Sequence, residues 1–178
     1  MTNELERLRS NLQEYAAAMD RIYANFPGKY SSTQKLIVEL GVEFDRKIES
    51  SFIGTPRECY KNAFDVLMEY PKPELYYCEG FATYAEATMP VYHAWLVNER
   101  GEVIDPTWRD PQSFINPIYF GVVFDWEFVM AVAAKTEIYG VLDNDRAIEY
   151  EFKRLGLPSN ALHPKFHNVQ PSQSSDTL

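Results

Sequence analysis

Residues Pro90–Trp108, PVYHAWLVNERGEVIDPTW, form two apolar runs joined by a polar turn. Each run carries one ionisable residue, His93 and Asp105, where a packing strand would carry Val or Thr. The turn decides whether the two meet. A three-residue loop Glu99-Arg100-Gly101, with glycine in the left-handed position, is a common hairpin form and pairs Asn98 with Glu102. Trp95 then faces Asp105 and His93 faces Thr107, so His93 and Asp105 become diagonal neighbours on one face, within hydrogen-bonding reach. A two-residue loop of Arg100 and Gly101 would put them on opposite faces. With the longer loop, a carboxylate holds one imidazole nitrogen and leaves the other free as a base, which nucleophilic catalysis requires.

Outward from this hairpin, ELYYCEGFATY before it and IYFGVVFD after it are rich in aromatic and β-branched residues and bounded by turn chemistry, so an antiparallel sheet is expected. The flanks have helical spacing. Leu5, Leu8, Leu12, Tyr15, Ala16, Met19, Ile22, Tyr23 and Phe26 advance by threes and fours, giving an amphipathic helix over 4–26. Ser32 then caps a second helix, TQKLIVELGVEFDRKIES, with Gly41 inside it. In GTPRECYKNAFDVLMEYPKP, Thr55 and Glu58 form a capping box and Pro56 suits the first helical position, which places Cys59 in the first turn. Pro71 and Pro73 stop that helix. After Asp125 two more helices are expected, WEFVMAVAAKTEIYG and NDRAIEYEFKRLG, the second capped by Asp143 or Asn144 and stopped by Gly156. The expected organisation is one α+β domain over 1–156, made of a helical pair (1–50), a core (51–125) and C-terminal helices (126–156), followed by a polar, partly disordered tail over 157–178 with His163 and His167 solvated.

A thiol in the first turn of a helix meets the positive end of the helix dipole and unpaired backbone N–H groups, both of which favour thiolate. The same N–H groups could bind an oxyanion. Cys59 is therefore the candidate nucleophile for the His93–Asp105 pair. Cysteine at a helix start, histidine on a following strand and aspartate on the next is the chain order of a papain-like or transglutaminase-like thiol triad.

The stretch CYKNAFDVLMEY…YYCEGFATY…YHAWLVNERGEVIDPTW resembles the core of the transglutaminase-like superfamily. The match rests on Cys59, Ala63 and Leu67 on the helix, a strand ending in a Gly-bearing turn at CEGFA, His93-Ala94-Trp95, and Asp105-Pro106-Thr107. The resemblance implies a nucleophile helix packed on an antiparallel sheet with flanking helices. It makes Cys59 the nucleophile, His93 the base and later acid, and Asp105 the orienting carboxylate. It also implies a thioester acyl-enzyme, resolved by water in a protease, amidase or deamidase or by an amine in a transferase, with no cofactor. A protein or peptide substrate is expected. Superfamily members include inactive relatives, so a catalytically silent binding protein is the competing reading. No acidic loop with calcium-ligand spacing accompanies the motifs. Gln34, Tyr77 and Trp95 could each supply an oxyanion donor, and Tyr77, Glu79 and Trp95 are candidates to line the substrate cleft.

Bland readings stand beside these. Tyr60, Tyr77, Trp95 and Trp108 could line the cleft, but aromatic residues on strands are usually core, and Glu79 could touch substrate or cap a strand end. Cys78 reads as a packed strand residue, and a Cys59–Cys78 disulfide remains open. Cys59, Cys78 and His93 could ligate zinc, but zinc ligands usually come in close pairs and these are scattered singly, so no metal is expected.

The 178 residues are 46% hydrophobic and 15% aromatic, enough for one domain that buries about 70% of its unfolded surface. Lys and Arg number 17 against 26 Asp and Glu, a net charge of -9 that opposes nucleic acid and anionic membrane surfaces as partners. The N-terminal residues lack an apolar signal run and no window approaches a membrane span. A cytoplasmic location with two free thiols is expected.

Overall fold

The computed structural model describes residues 2–25, 27–70, 74–84, 89–142 and 146–167. The elements are α1 (Thr2–Ile22), α2 (Thr33–Leu40), β1 (Val42–Phe44), β2 (Lys47–Ile48), α3 (Cys59–Glu69), β3 (Leu75–Thr83), β4 (Val91–Asn98), β5 (Val103–Ile104), a 3-10 turn (Pro111–Phe114), β6 (Ile118–Phe124), α4 (Trp126–Thr136) and α5 (Glu151–Leu155). The architecture is α+β, built on one mixed sheet. No described helix is long and apolar enough to cross a membrane.

The sheet runs β1-β6-β3-β4-β5-β2, antiparallel throughout except for the parallel β2–β5 pair. β1 and β2 lie at opposite edges, yet only Asp45 and Arg46 separate them in the chain. The sheet therefore curls until its two edges nearly meet. Inside the curl, the long strands β3, β4 and β6, together with β5 and the β1 edge, contribute to one cluster that includes Phe44, Cys78, Trp95, Val97, Val103, Tyr119 and Val123. On the outer face, alternate residues such as Tyr77, Phe81, Ala94, Leu96 and Phe120 pack against Leu8 and Leu12 of α1, Leu36 and Ile37 of α2, and Ala63 and Leu67 of α3. The period-2 alternation of strands thus separates two cores. CEGFA, expected to end a strand in a turn, lies within β3; there Gly80 pairs with Gly121 of β6, where a Cβ on Gly80 would lie 2.2 Å from the Phe120 carbonyl oxygen and one on Gly121 would lie 2.6 Å from the Trp95 ring. Bare backbone at this point makes room for the Trp95 indole inside the curl.

The second helix ends early. Ser32 caps it as expected, with Oγ accepting from the Lys35 N–H at 3.2 Å, but it stops at Leu40 instead of running to Ser50. A Cβ on Gly41 would lie 2.5 Å from the Ile37 carbonyl oxygen and 2.9 Å from the Phe120 ring. The chain turns extended there, and residues 42–44 pair with the otherwise open edge of β6. Ladder bonds to a waiting edge outweigh the helical spacing. α1 ends at Ile22, and its buried edge is Leu8, Leu12 and Ala16, while Tyr15, Ile22 and Tyr23 are exposed; Phe26 lies outside the described residues.

At the other end, Asp125 caps α4 with Oδ1, accepting from Glu127 N–H and Phe128 N–H. α5 is only five residues long, preceded by turn residues 146–150 and stopped by Gly156 at φ +85°. The expected caps Asp143 and Asn144 lie outside the described residues. Residues 157–167 return along β6: Leu162 bridges Phe124, His163 N–H donates to the Val123 carbonyl, and Phe166 packs on Phe44 and Tyr76. The His163 ring packs against Tyr76 at a tilt, and His167 Nε2 accepts from the Val123 N–H at 3.2 Å, so both rings are half-buried rather than solvated.

Candidate active site

The decisive hairpin has the three-residue loop. Gly101 sits at φ +74°, Asn98 N–H donates to the Glu102 carbonyl at 3.0 Å, and Val97 pairs with Val103. β5 ends at Ile104 because Pro106, two residues on, has no N–H for the ladder. β4 continues past that point toward Val91, and the start of α3 fills the vacated position. Gly54 N–H donates to the Pro106 carbonyl at 2.9 Å, and Asn62 Nδ2 donates to Thr107 Oγ1 at 2.8 Å.

Cys59 is the first residue of α3 and is 9% exposed. The expected capping box does not form, and Glu58 precedes the helix without a side-chain cap. Arg57, at φ +69°, is left-handed, so the helix cannot begin at Pro56. Asn62 replaces the box: its Oδ1 accepts from Thr55 N–H at 2.9 Å and its Nδ2 donates to the Thr55 carbonyl at 2.7 Å. The thiol therefore sits at the uncapped, positive end of α3.

His93 is 2% exposed and Asp105 1%. His93 Nε2 bonds Asp105 Oδ2 at 2.7 Å, which leaves Nδ1 for a further partner. The imidazole is parallel to two indoles, 4.3 Å from Trp108 and 6.2 Å from Trp95, so its plane is fixed. Asp105 receives three more hydrogen bonds: Tyr119 Oη on Oδ2 at 2.8 Å, and the N–H groups of Thr107 and Trp108 on Oδ1 at 2.8 and 3.0 Å. Burial alone would lower the His93 pKa; the Asp105 charge and hydrogen bond, and then the neighbouring Cys59 thiol, outweigh it and raise it to about 9. Burial alone would raise the Asp105 pKa; the His93 charge and hydrogen bond, the Trp108 N–H and the Lys47 charge bring it below the ordinary carboxylate value. Both shifts favour an imidazolium on a carboxylate, with sulfur as the ring's other neighbour.

The structure thus brings Cys59, His93 and Asp105 together. The three cleft candidates have other surroundings, all fully buried. Glu79 Oε1 and Oε2 accept from the N–H groups of Val141 and Leu142, tying that segment to β3. Trp95 fills the curl, and Tyr77 lies in the outer core, where burial and the adjacent Glu79 carboxylate push its pKa well up. Gln34 lies on α2, a helix packed against α1 and β6. Cys59 and Cys78 are both free thiols, Cys78 inside the curl.

Four participants escaped the sequence reading: Asn62, Tyr119, Lys47 and the stacking of Trp108 on His93. Asn62 left a signal, since it is the one polar residue on the buried face of α3, among Cys59, Ala63, Val66 and Leu67. Tyr119 and Lys47 left none, because their roles depend on β6 and β2 pairing with distant strands. Comparison with protein-family models, curated proteins and solved structures finds no match to this chain.

Proposed function

We propose that this protein is a cysteine-dependent acyl-transfer enzyme with a transglutaminase-like core, hydrolysing amide or isopeptide bonds in a protein or peptide. The observation that carries the reading is the His93 ring, held by Asp105 at 2.7 Å through Nε2, with the Cys59 thiol as its other neighbour. The Cys59 thiolate attacks the substrate carbonyl carbon, and the tetrahedral oxyanion lies near the N–H groups at the start of α3. His93 gives its proton to the departing amine as the C–N bond breaks, leaving a thioester and a neutral ring. Water then attacks the thioester, His93 takes the water proton, and the thiolate leaves. The chemistry requires no cofactor, and both thiols suit a reducing compartment such as the cytoplasm.

The test is iodoacetamide labelling near neutral pH with the adduct mapped. Rapid labelling of Cys59 that disappears in His93→Ala supports the enzyme. Labelling at the rate of a free model thiol overturns it in favour of a silent binding protein.

A further inference from the structure

Beyond the triad, a fourth charged side chain closes on the same residues. Lys47, on β2, donates from Nζ to the Trp108 carbonyl and to Ser113 Oγ, both at 2.7 Å. Trp108 in turn donates its N–H to Asp105 Oδ1 at 3.0 Å and stacks its indole on His93 at 4.3 Å. Lys47 and Asp105 thus grip the carbonyl and the N–H of one residue, Trp108. Both also line a cleft of about 520 Å³ with Glu49, Ser50, Arg109 and Phe114. The charged groups facing Lys47 are Asp105 and Asp110 from the loop, and Glu49 and Arg109 across the cleft; the Phe114 and Tyr119 rings lie 4.6 and 5.9 Å from its ammonium. A carbonyl and a hydroxyl could be satisfied by a neutral donor, and half-burying an ammonium carries a desolvation cost, so the hydrogen bonds alone do not account for a lysine here.

The acyl-transfer cycle accounts for it. In the resting enzyme the imidazolium neutralises Asp105. Once that proton has left with the amine, His93 is neutral, and a carboxylate 1% exposed has lost its closest cation. An uncompensated carboxylate draws a proton back onto the ring, and a ring reprotonated on Nδ1 cannot take the proton of the attacking water. We propose that Lys47 is a positioning residue that supplies the missing cation to Asp105 once His93 is neutral, so that the ring stays free to act as the base. This inference rests on the acyl-transfer reading.

The experiment compares full-length wild type, Lys47→Met and Lys47→Arg. Iodoacetamide reports the resting thiolate, and p-nitrophenyl acetate reports formation and hydrolysis of a thioester. NMR titration of the His93 ring on protein already alkylated at Cys59 reports its ionisation directly. In Lys47→Met, alkylation at neutral pH stays within about threefold of wild type, while thioester hydrolysis slows about tenfold and its acid limb moves up by about one pH unit, as does the His93 titration. Lys47→Arg restores both. An acid limb and a His93 titration that stay in place, with both rates falling together, would reduce Lys47 to a loop anchor and overturn the proposal. If wild type forms no thioester, the acyl-transfer reading falls, and the His93 titration then decides the role of Lys47 by itself.

Discussion

Asp105→Asn changes one atom type in a buried carboxylate that accepts four hydrogen bonds. If the amide keeps its oxygen toward the Thr107 and Trp108 N–H groups, its NH2 faces His93 Nε2 and Tyr119 Oη. Nε2 must then be an acceptor, so the ring carries its proton on Nδ1 and cannot receive one from sulfur. A wild-type pKa raised from 6.5 to about 9 corresponds to roughly 3 kcal/mol of stability held by the protonated ring, at about 1.4 kcal/mol per pH unit. Because the folded pKa lies above the unfolded one, this stability is fully present below pH 6.5 and is lost as pH rises through about 9. In the variant the raising causes are gone and burial remains, so the folded state prefers the neutral ring and the slope vanishes or reverses. Urea denaturation at closely spaced values from pH 6 to 9.5 measures both proteins. Ionisation of Cys78 and of the unfolded thiols cancels in the difference. The variant is expected to be about 3–5 kcal/mol less stable at neutral pH, as for a buried pair deprived of one partner, with the gap closing by roughly 3 kcal/mol toward the alkaline end. A gap independent of pH across this window would refute the imidazolium–carboxylate assignment.

Three further substitutions separate scaffold from site. Asn62→Ala removes the bonds to Thr55 N–H, the Thr55 carbonyl and Thr107 Oγ1; a loss of about 2–3 kcal/mol in urea denaturation and slower alkylation of Cys59 are expected, and an unchanged alkylation rate would show that the clamp does not position the thiol. Glu79→Gln weakens the acceptor for Val141 and Leu142 and should cost about 1.5–3 kcal/mol while leaving alkylation at its wild-type rate; a selective loss of reactivity would return Glu79 to the cleft. Gly80→Ala places a Cβ 2.2 Å from the Phe120 carbonyl oxygen and 2.4 Å from Gly121 Cα. About 3 kcal/mol or more should be lost, a fall in Tm of roughly 6–12 °C by calorimetry, and a fall below about 2 °C would mean that β3 and β6 are not this close.

Local chemistry made the hairpin legible. Gly101 could take the left-handed turn position, and once the loop length was chosen Asn98–Glu102, Val97–Val103 and Leu96–Ile104 followed by counting, whereas the expected Trp95–Asp105 and His93–Thr107 pairs do not form because the ladder stops at Ile104. α3 and its cysteine were legible for a similar reason, since the Cys59-Ala63-Leu67 spacing acts within one helix, which ends at Glu69; the expected stops Pro71 and Pro73 lie outside the described residues. Residues 42–48 were not. Val42 and Phe44 suit a helix face as well as a strand, and what selects the strand is the edge of β6, far along the chain. With β1 and β2 read as helix, the curl was invisible, and so was the inward face on which Trp95, Trp108 and Tyr119 surround His93. The capping box failed on one backbone torsion, Arg57 at φ +69°, that no side-chain pattern announces.

Asp105-Pro106-Thr107 shows why a motif of three residues can carry so much of a site. If β5 continued beside β4, residue 107 would occupy the place opposite His93 and the sheet would close over the ring. Proline ends the ladder because it has no N–H to donate, and its carbonyl, freed from the sheet, accepts from Gly54 N–H at 2.9 Å. Threonine then offers Oγ1 to Asn62 at 2.8 Å, one helical turn from the thiol. The aspartate, at the last position before the break, still follows the hairpin register, so its carboxylate reaches Nε2 at 2.7 Å. Its other oxygen is held by the N–H groups of Thr107 and Trp108, which turn inward because the strand has ended. One residue orients the base, the next opens the slot for the helix, and the third fastens the helix in it. Sulfur, imidazole and carboxylate therefore converge where strand pairing stops, and the gap left by β5 places the mouth of α3 beside His93.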